Sequence, residues 1–299
     1  SVVHQLQAQR PVWHRLSGDG HQFSPGKNGP GTFSAFPGEP VMTSGNENRF
    51  DDFFANKKYV SLKNHSYNYL LRKRAVERAM CAEEKDLVLE VGSGISPVFM
   101  SWDRVVYSDV SSSALKMLQK IHGLGQYVVA DAMNLPFVDE SFSHVISSEV
   151  LEHLEDDRRA LKEIARVTRP GGVLIVTFPH RHFYFAHDDR FVCHYRRYEL
   201  PEMMHQLEEA GFHAAEVQKV LGPLEKLTML AVTGCVSLAQ KFHRKERVSK
   251  AQFPLPEFLI RLFQLMNRAY AVLAWLDARL MPRALSTVLL IKARKKNPL

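Results

Sequence analysis

Residues 87–94 read LVLEVGSG: an apolar run, one acid, then a turn of small residues. An apolar run bounded by turn residues fits a buried strand of a parallel sheet. Gly92 and Gly94 let the backbone turn tightly and let a ligand approach the main chain. Glu90 falls near the carboxyl end of that strand, the edge at which open α/β sheets bind ligands. Three further runs follow. Residues 105–110 (VVYSDV) end in Asp109, residues 127–132 (YVVADA) end in Asp131, and residues 144–148 (HVISS) precede Glu149. Strand ends that deliver acids and small turns to one edge point to a ligand with hydroxyls, such as a nucleoside.

Five segments carry a family resemblance: VLEVGSG, SDVS, ADAMNLPF, SSEVLEHL and RPGGVLIVTFP, in that order. Together they resemble the class I S-adenosylmethionine-dependent methyltransferases, in the branch that includes ubiquinone and menaquinone biosynthesis enzymes. The resemblance runs from residue 87 to about residue 212. Two positions depart from it. Ser96, followed by Pro97, stands at the usual third glycine of the first loop, which stiffens that loop slightly. Ser143 stands where an acid is usual, which removes a turn cap.

The resemblance implies a seven-stranded, doubly wound, Rossmann-like α/β sheet whose last strand runs antiparallel beside the fifth. It implies S-adenosylmethionine as cofactor. The backbone of Gly92, Ser93 and Gly94 would pack on its methionine and ribose part, with Glu90 near the amino group. Asp109 would take the ribose hydroxyls, Asp131 and the Ala132 amide the adenine, and Glu149 would border the methyl-transfer centre. An acid at a strand end can instead cap the next helix, and Glu149 could equally start one.

The chain then divides as follows. Residues 1–41, rich in Gly, Pro, Ser and His, read as a loosely attached tail, and Met42 is a plausible native start. Residues 42–86 read as a helical cover, with an amphipathic, basic helix over 64–80 and Tyr59, His65 and Tyr67 as weak pocket candidates. Residues 87–220 form the cofactor-binding core, with helices over 111–121, 156–167 and 200–210 and a helix stop at 169–172. Residues 221–285 form a helical insertion, and residues 286–299 the last strand and a basic end.

A second constellation follows the fifth strand: His180, His182, Tyr184 and His187, then His194 to Tyr198. An oxygen acceptor needs its proton removed, and His is the usual base near neutral pH. His180 is the first choice and His194 the second. Tyr195, Arg196 and Arg197 are the candidates for holding the acceptor, the arginines through a carboxylate or phosphate. No tight HxH with a carboxylate stands at a plausible place, so no metal is expected.

The formal charge of +7 favours anionic partners without choosing among them. Nucleic acid is disfavoured, because the segment after the fourth strand reads SSEV and lacks an Asn/Asp-Pro-Pro-Tyr/Phe motif. In the insertion, residues 258–276 are amphipathic, and basic runs lie at 241–250 and 292–296. That combination suits an anionic membrane surface, a lid or a dimer interface; no spanning helix is expected. Cys81, Cys193 and Cys235 lie far apart and read as reduced thiols of a cytoplasmic protein, peripheral to the inner face of a membrane if it docks there. The expectation is therefore methyl transfer to a small, hydrophobic or lipid-linked acceptor, with oxygen favoured. The competing readings are a non-enzymatic membrane scaffold on the same fold and a nicotinamide-dependent oxidoreductase, whose G-x-G-x-x-G loop is not matched here.

Overall fold

A computed structural model of the chain describes residues 63–81, 84–243 and 257–297. The expected tail at 1–41, Tyr59 and the basic residues at 244–250 lie outside the described residues. In chain order the elements are α1 (Tyr67–Cys81), β1 (Val88–Val91), β2 (Val105–Asp109), α2 (Ser112–His122), β3 (Gln126–Val129) and β4 (Phe142–Ser148). They continue with α3 (Asp157–Val167), β5 (Thr168–Pro179), α4 (His187–Phe191), α5 (Leu200–Glu209), β6 (Phe212–Leu221), α6 (Pro223–His243), α7 (Glu257–Leu280) and β7 (Val288–Lys295).

The strands form one seven-stranded sheet in the order β3-β2-β1-β4-β5-β7-β6. All neighbours among β1 to β5 are parallel, whereas β7 is antiparallel to both β5 and β6. This is the seven-stranded, doubly wound, Rossmann-like sheet that was expected, with its last strand antiparallel beside the fifth. Every residue of β1 is buried, as expected for a central strand covered on both faces. One face packs on Ala160, Leu161 and Ile164 of α3 and Met203 and Leu207 of α5. The other packs on Val76 and Met80 of α1, Leu115 and Leu118 of α2, and Ala271 and Ala274 of α7. The order of connection reverses beside β1, between β2 and β4, and that switch point opens a crevice at the strands' carboxyl ends.

Local chemistry sets the element ends. Ser111 caps α2 by accepting the Ala114 N–H, and Gly123 closes it at φ +72. Asp156 caps α3 by accepting the Arg159 N–H at 3.0 Å. Three sequence expectations need adjusting. β3 ends at Val129, so Asp131 lies in the turn beyond it. The helix ends at Val167 as expected, but residues 169–172 are already part of β5, which starts at Thr168. Ser143 does not leave its turn uncapped, because its hydroxyl accepts the Asp86 N–H and donates to the Leu87 carbonyl, both at 3.1 Å.

Candidate active site

Two adjoining cavities open at the switch point. The first, about 490 Å³, lies over the tips of β1, β2, β3 and β4 and is lined by Gly92, Asp109, Asp131, Ala132 and Glu149. The second, about 320 Å³, lies between the first loop, α1, the segment after β5 and the start of α6. Gly92, Glu149 and His153 line both, so the two share a wall.

The loop after β1 shapes that wall. Gly92 has φ +69, and a Cβ placed there would meet the Val150 side chain at 2.5 Å. The Gly94 N–H donates to Asp109 Oδ2 at 2.8 Å, and the Ser111 N–H donates to Asp109 Oδ1 at 2.8 Å. Asp131 Oδ1 accepts the Met133 N–H at 2.9 Å. Both acids thus brace turns and still face the cavity, since each carboxylate oxygen can accept more than one hydrogen bond. The buried Ser93 hydroxyl has no hydrogen-bond partner among the described residues. Glycine close to the cavity and acids at two strand tips fit an adenosyl group with ribose hydroxyls, while Ser93 lines the adjoining second cavity.

Glu90 lines the second cavity but is itself buried. Its carboxylate accepts the Val98 N–H at 2.7 Å and the Phe99 N–H at 3.1 Å, so it ties β1 to the segment after the loop. Burial pushes its carboxyl up to about 8, against the pull of those two amides. Glu149 does not start a helix. It sits at φ +56, where an L-residue is strained by roughly 1–2 kcal/mol, and its N–H donates to the Thr177 carbonyl at 3.0 Å. Its carboxylate lies 3.9 Å from the Arg72 guanidinium of α1.

The loop after β5 delivers fewer residues than its composition promised. His180 is buried, is absent from both cavity walls, and its Nδ1 lies 2.9 Å from the Ser286 carbonyl. It joins the end of β5 to the start of β7 and is not placed as a base. Tyr195 is exposed and away from the cavity, and Arg196 bonds the Glu155 carbonyl at 2.8 Å and pairs with Asp157 at 3.3 Å. Neither is positioned to hold an acceptor. Tyr67 packs edge-on against Tyr270 at 4.8 Å and is part of the core. His65, like Tyr67, is absent from both walls.

His194 does reach the second cavity. Its Nδ1 lies 3.0 Å from Asp189 Oδ1, and its ring meets His153 edge-on at 4.7 Å. Asp189 also takes the Arg197 Nε at 2.7 Å and the Lys226 Nζ at 2.7 Å, while Lys226 bonds both oxygens of Asp188. Burial alone would raise the Asp189 carboxyl, but the hydrogen bond from His194, the Arg197 charge and Lys226 together hold it well below the usual range. Arg197 lines the cavity, yet its guanidinium is committed to Asp189.

Sequence reasoning missed several of these groups. Arg72, one of the basic residues of the helix expected over 64–80, borders the cavity. Asp188 and Asp189 are adjacent acids inside a His-rich loop, which was the available signal. Glu225, Lys226 and Met229 belong to the insertion, where no family motif reaches. Glu152 lies three residues beyond Glu149, fully buried, with both oxygens lacking a hydrogen-bond partner among the described residues. Burial, reinforced by Glu149, pushes its carboxyl well up. Among the described residues, Glu152, His153 and His194 are the group able to share a metal ion, with ligand atoms within 4.8 Å of one another. The sequence reading expected none.

Residues 89–176 match the family described as a methyltransferase domain. A demethylmenaquinone methyltransferase of Streptomyces griseus is 34% identical over 110 residues, covering 36% of this chain and 48% of that one. The O-methyltransferase resE of Aspergillus sclerotiorum is 33% identical over 119 residues, covering 36% and 45%. The chain thus spans about half the length of the curated relatives it matches. Among solved structures, an S-adenosylmethionine-dependent methyltransferase of Thermotoga maritima superposes with a TM-score of 0.50 at 18% identity, over 83% of this chain and 95% of that one. The [4+2]-cyclase SpnF superposes with a TM-score of 0.50 at 20% identity, over 76% and 80%. These structures show the shared fold alone.

Proposed function

We propose that this chain, through the methyltransferase domain at 89–176, transfers the methyl group of S-adenosylmethionine to a small, hydrophobic or lipid-linked acceptor. The observation that carries the reading is the pair of cavities meeting at Gly92 and Glu149. One is walled by the strand-tip acids and the other by a His–Asp pair. A Rossmann-like fold alone would not suffice, because one fold hosts many chemistries.

When bound, the cofactor supplies an already activated methyl group, so the protein's work is to bind, align and exclude water. Asp109 and Asp131 would hold its ribose and adenine, and the Gly92–Gly94 backbone its methionine part. Glu149, strained and aimed at the shared wall, marks the boundary between donor and acceptor. His194, a sequence candidate, takes the place first given to His180. Asp189 holds Nδ1, and Nε2, which lies 3.9 Å from the buried Glu152 carboxylate, is the nitrogen that would take the acceptor's proton. Burial, with His194 beside it, holds the His153 ring below the usual imidazole range, so it stays neutral near pH 7. Met229, Pro179 and Val192 give the acceptor cavity apolar surface.

Oxygen is the favoured acceptor atom, because a hydroxyl is what such a base activates. A ring carbon of a phenol or quinol would be activated by the same deprotonation, and relatives named as demethylmenaquinone methyltransferases suit that second reading. The test is transfer of labelled methyl from S-adenosylmethionine to phenolic and quinol acceptors, read in the organic-extractable fraction. His194→Ala is expected to lower turnover by roughly 10²–10⁴-fold with cofactor affinity unchanged. Unchanged turnover in that variant would remove the His–Asp pair from the mechanism.

A further inference from the structure

The insertion packs inside out. Most residues of α7 that face the domain are small or polar, namely Gln264, Asn267, Ala271, Ala274, Asp277 and Ala278, with Ile260 and Tyr270 the larger ones among them. Ala271 and Ala274 are each only 1% exposed, Asn267 Oδ1 accepts the Tyr67 N–H, and Asp277 accepts the Leu224 N–H. The remaining large apolar residues point the other way. Phe258 is 71% exposed, Leu265 66%, Leu273 56% and Leu280 75%. In α6 the inward residues include Glu225, Lys226 and Thr233, all buried, while Leu227 and Leu238 are exposed. A helix that served only to cover the core would turn its leucines inward and its polar residues to water.

Charge tells what the outer face meets. Arg261, Arg268 and Arg279 are exposed and recur at spacings that align them along one edge of the apolar face of α7. Glu225 is buried, and Asp277 is half-buried and bonded to the Leu224 N–H, so neither acid lies on the outer face. An apolar band with a cationic edge and Trp275 within it is the pattern of a helix lying in the interface of an anionic bilayer. The 24 residues of α7 give a length of about 36 Å along such a surface. Among the described residues no helix is long and apolar enough to cross a membrane. The inner side of α6 lines the acceptor cavity through Glu225 and Met229, so this face stands one helix thickness from that cavity.

We infer that the outer face of α6 and α7 docks on an anionic membrane surface. Docking needs no methyl transfer, so vesicle binding without cofactor binding would leave this inference standing and remove the proposed activity. The test floats the full chain with phosphatidylcholine vesicles with and without phosphatidylglycerol. The expected result is recovery with the anionic vesicles, weaker recovery with neutral ones, and release by salt. Leu265→Asp/Leu276→Asp should lower the vesicle-bound fraction by about tenfold or more while its near-ultraviolet circular dichroism and S-adenosylmethionine affinity match the parent. Three results would overturn the inference. The parent could fail to float with either vesicle, the double variant could float as the parent does, or the parent could sediment as a dimer that ignores vesicles and that the double variant dissociates. In the last case the face is covered by a second copy.

Discussion

The core sheet and the insertion solve opposite packing problems. Along α3 the buried residues are Ala160, Leu161, Ile164, Ala165 and Val167 together with Asp157 at its start, and the charged residues Arg158, Arg159 and Lys162 face water. Along α7 the buried residues are alanines and the exposed ones are leucines and phenylalanine. The first arrangement is stabilised by removing apolar surface from water. The second is held to the domain by specific polar contacts, such as Asn267 to Tyr67 and Asp277 to Leu224. It leaves its apolar area for another surface. The contrast teaches that apolar content does not say where a helix is anchored; the placement of its small and polar residues does.

The contrast can be broken most forcefully where the two regions meet. Asp189→Ala would leave Lys226 of the insertion and Arg197 of the core loop buried without their shared carboxylate. It should destabilise the protein by about 3–5 kcal/mol in urea unfolding, and a loss below 1 kcal/mol would mean the joint is not structural. Within the insertion, Ala274→Leu should cost about 1–3 kcal/mol by overpacking the inner face, whereas Leu276→Ala on the outer face should change stability by less than about 0.5 kcal/mol. A reversed order in thermal unfolding would refute the inverted packing.

The core side offers a titration that the insertion does not. Burial raises Glu90 from its ordinary 4.5 to about 8, so the folded state holds its proton more tightly than the unfolded chain does. Stability attributable to this group therefore falls as pH rises from about 4.5 to about 8 and is level above that. Glu90→Gln should flatten that leg, which at about 1.4 kcal/mol per pH unit amounts to roughly 5 kcal/mol at most, read from denaturant midpoints across the range. An unchanged slope would show that Glu90 titrates normally. The smallest expected effect is Arg196→Ala, whose pair with Asp157 is partly exposed. It should cost about 1 kcal/mol or less and leave acceptor kinetics untouched.

Much of the core was legible because its physics is local. A central parallel strand must be apolar throughout, and the turn after it must be small, so LVLEVGSG placed both strand and cavity floor. Asp109, Asp131 and Glu149 could be found because each ends a strand run. The place of the last strand was legible from the family resemblance, and β7 lies between β5 and β6. The acceptor side was less legible because its residues come from segments far apart in sequence. His180 and His194 look alike in the chain, and only the folded loop shows that one is bonded to the Ser286 carbonyl while the other faces the cavity. Lys226 lies 38 residues from Asp188, and no local pattern announces that pair. The wide apolar face of α7 could be read, but not that it points outward, since periodicity gives a face without a direction.

The central claim is that the strand-tip cavity holds an adenosyl-sulfonium ligand through Asp109. Calorimetric titration of the full chain with S-adenosylhomocysteine, beside Asp109→Ala, tests it directly. The expected result is saturable one-to-one binding by the parent, weakened by about tenfold or more in the variant, which loses charge-assisted hydrogen bonds worth roughly 1.5–3 kcal/mol. Absence of saturable heat in the parent, or equal affinity in the two proteins, would contradict it.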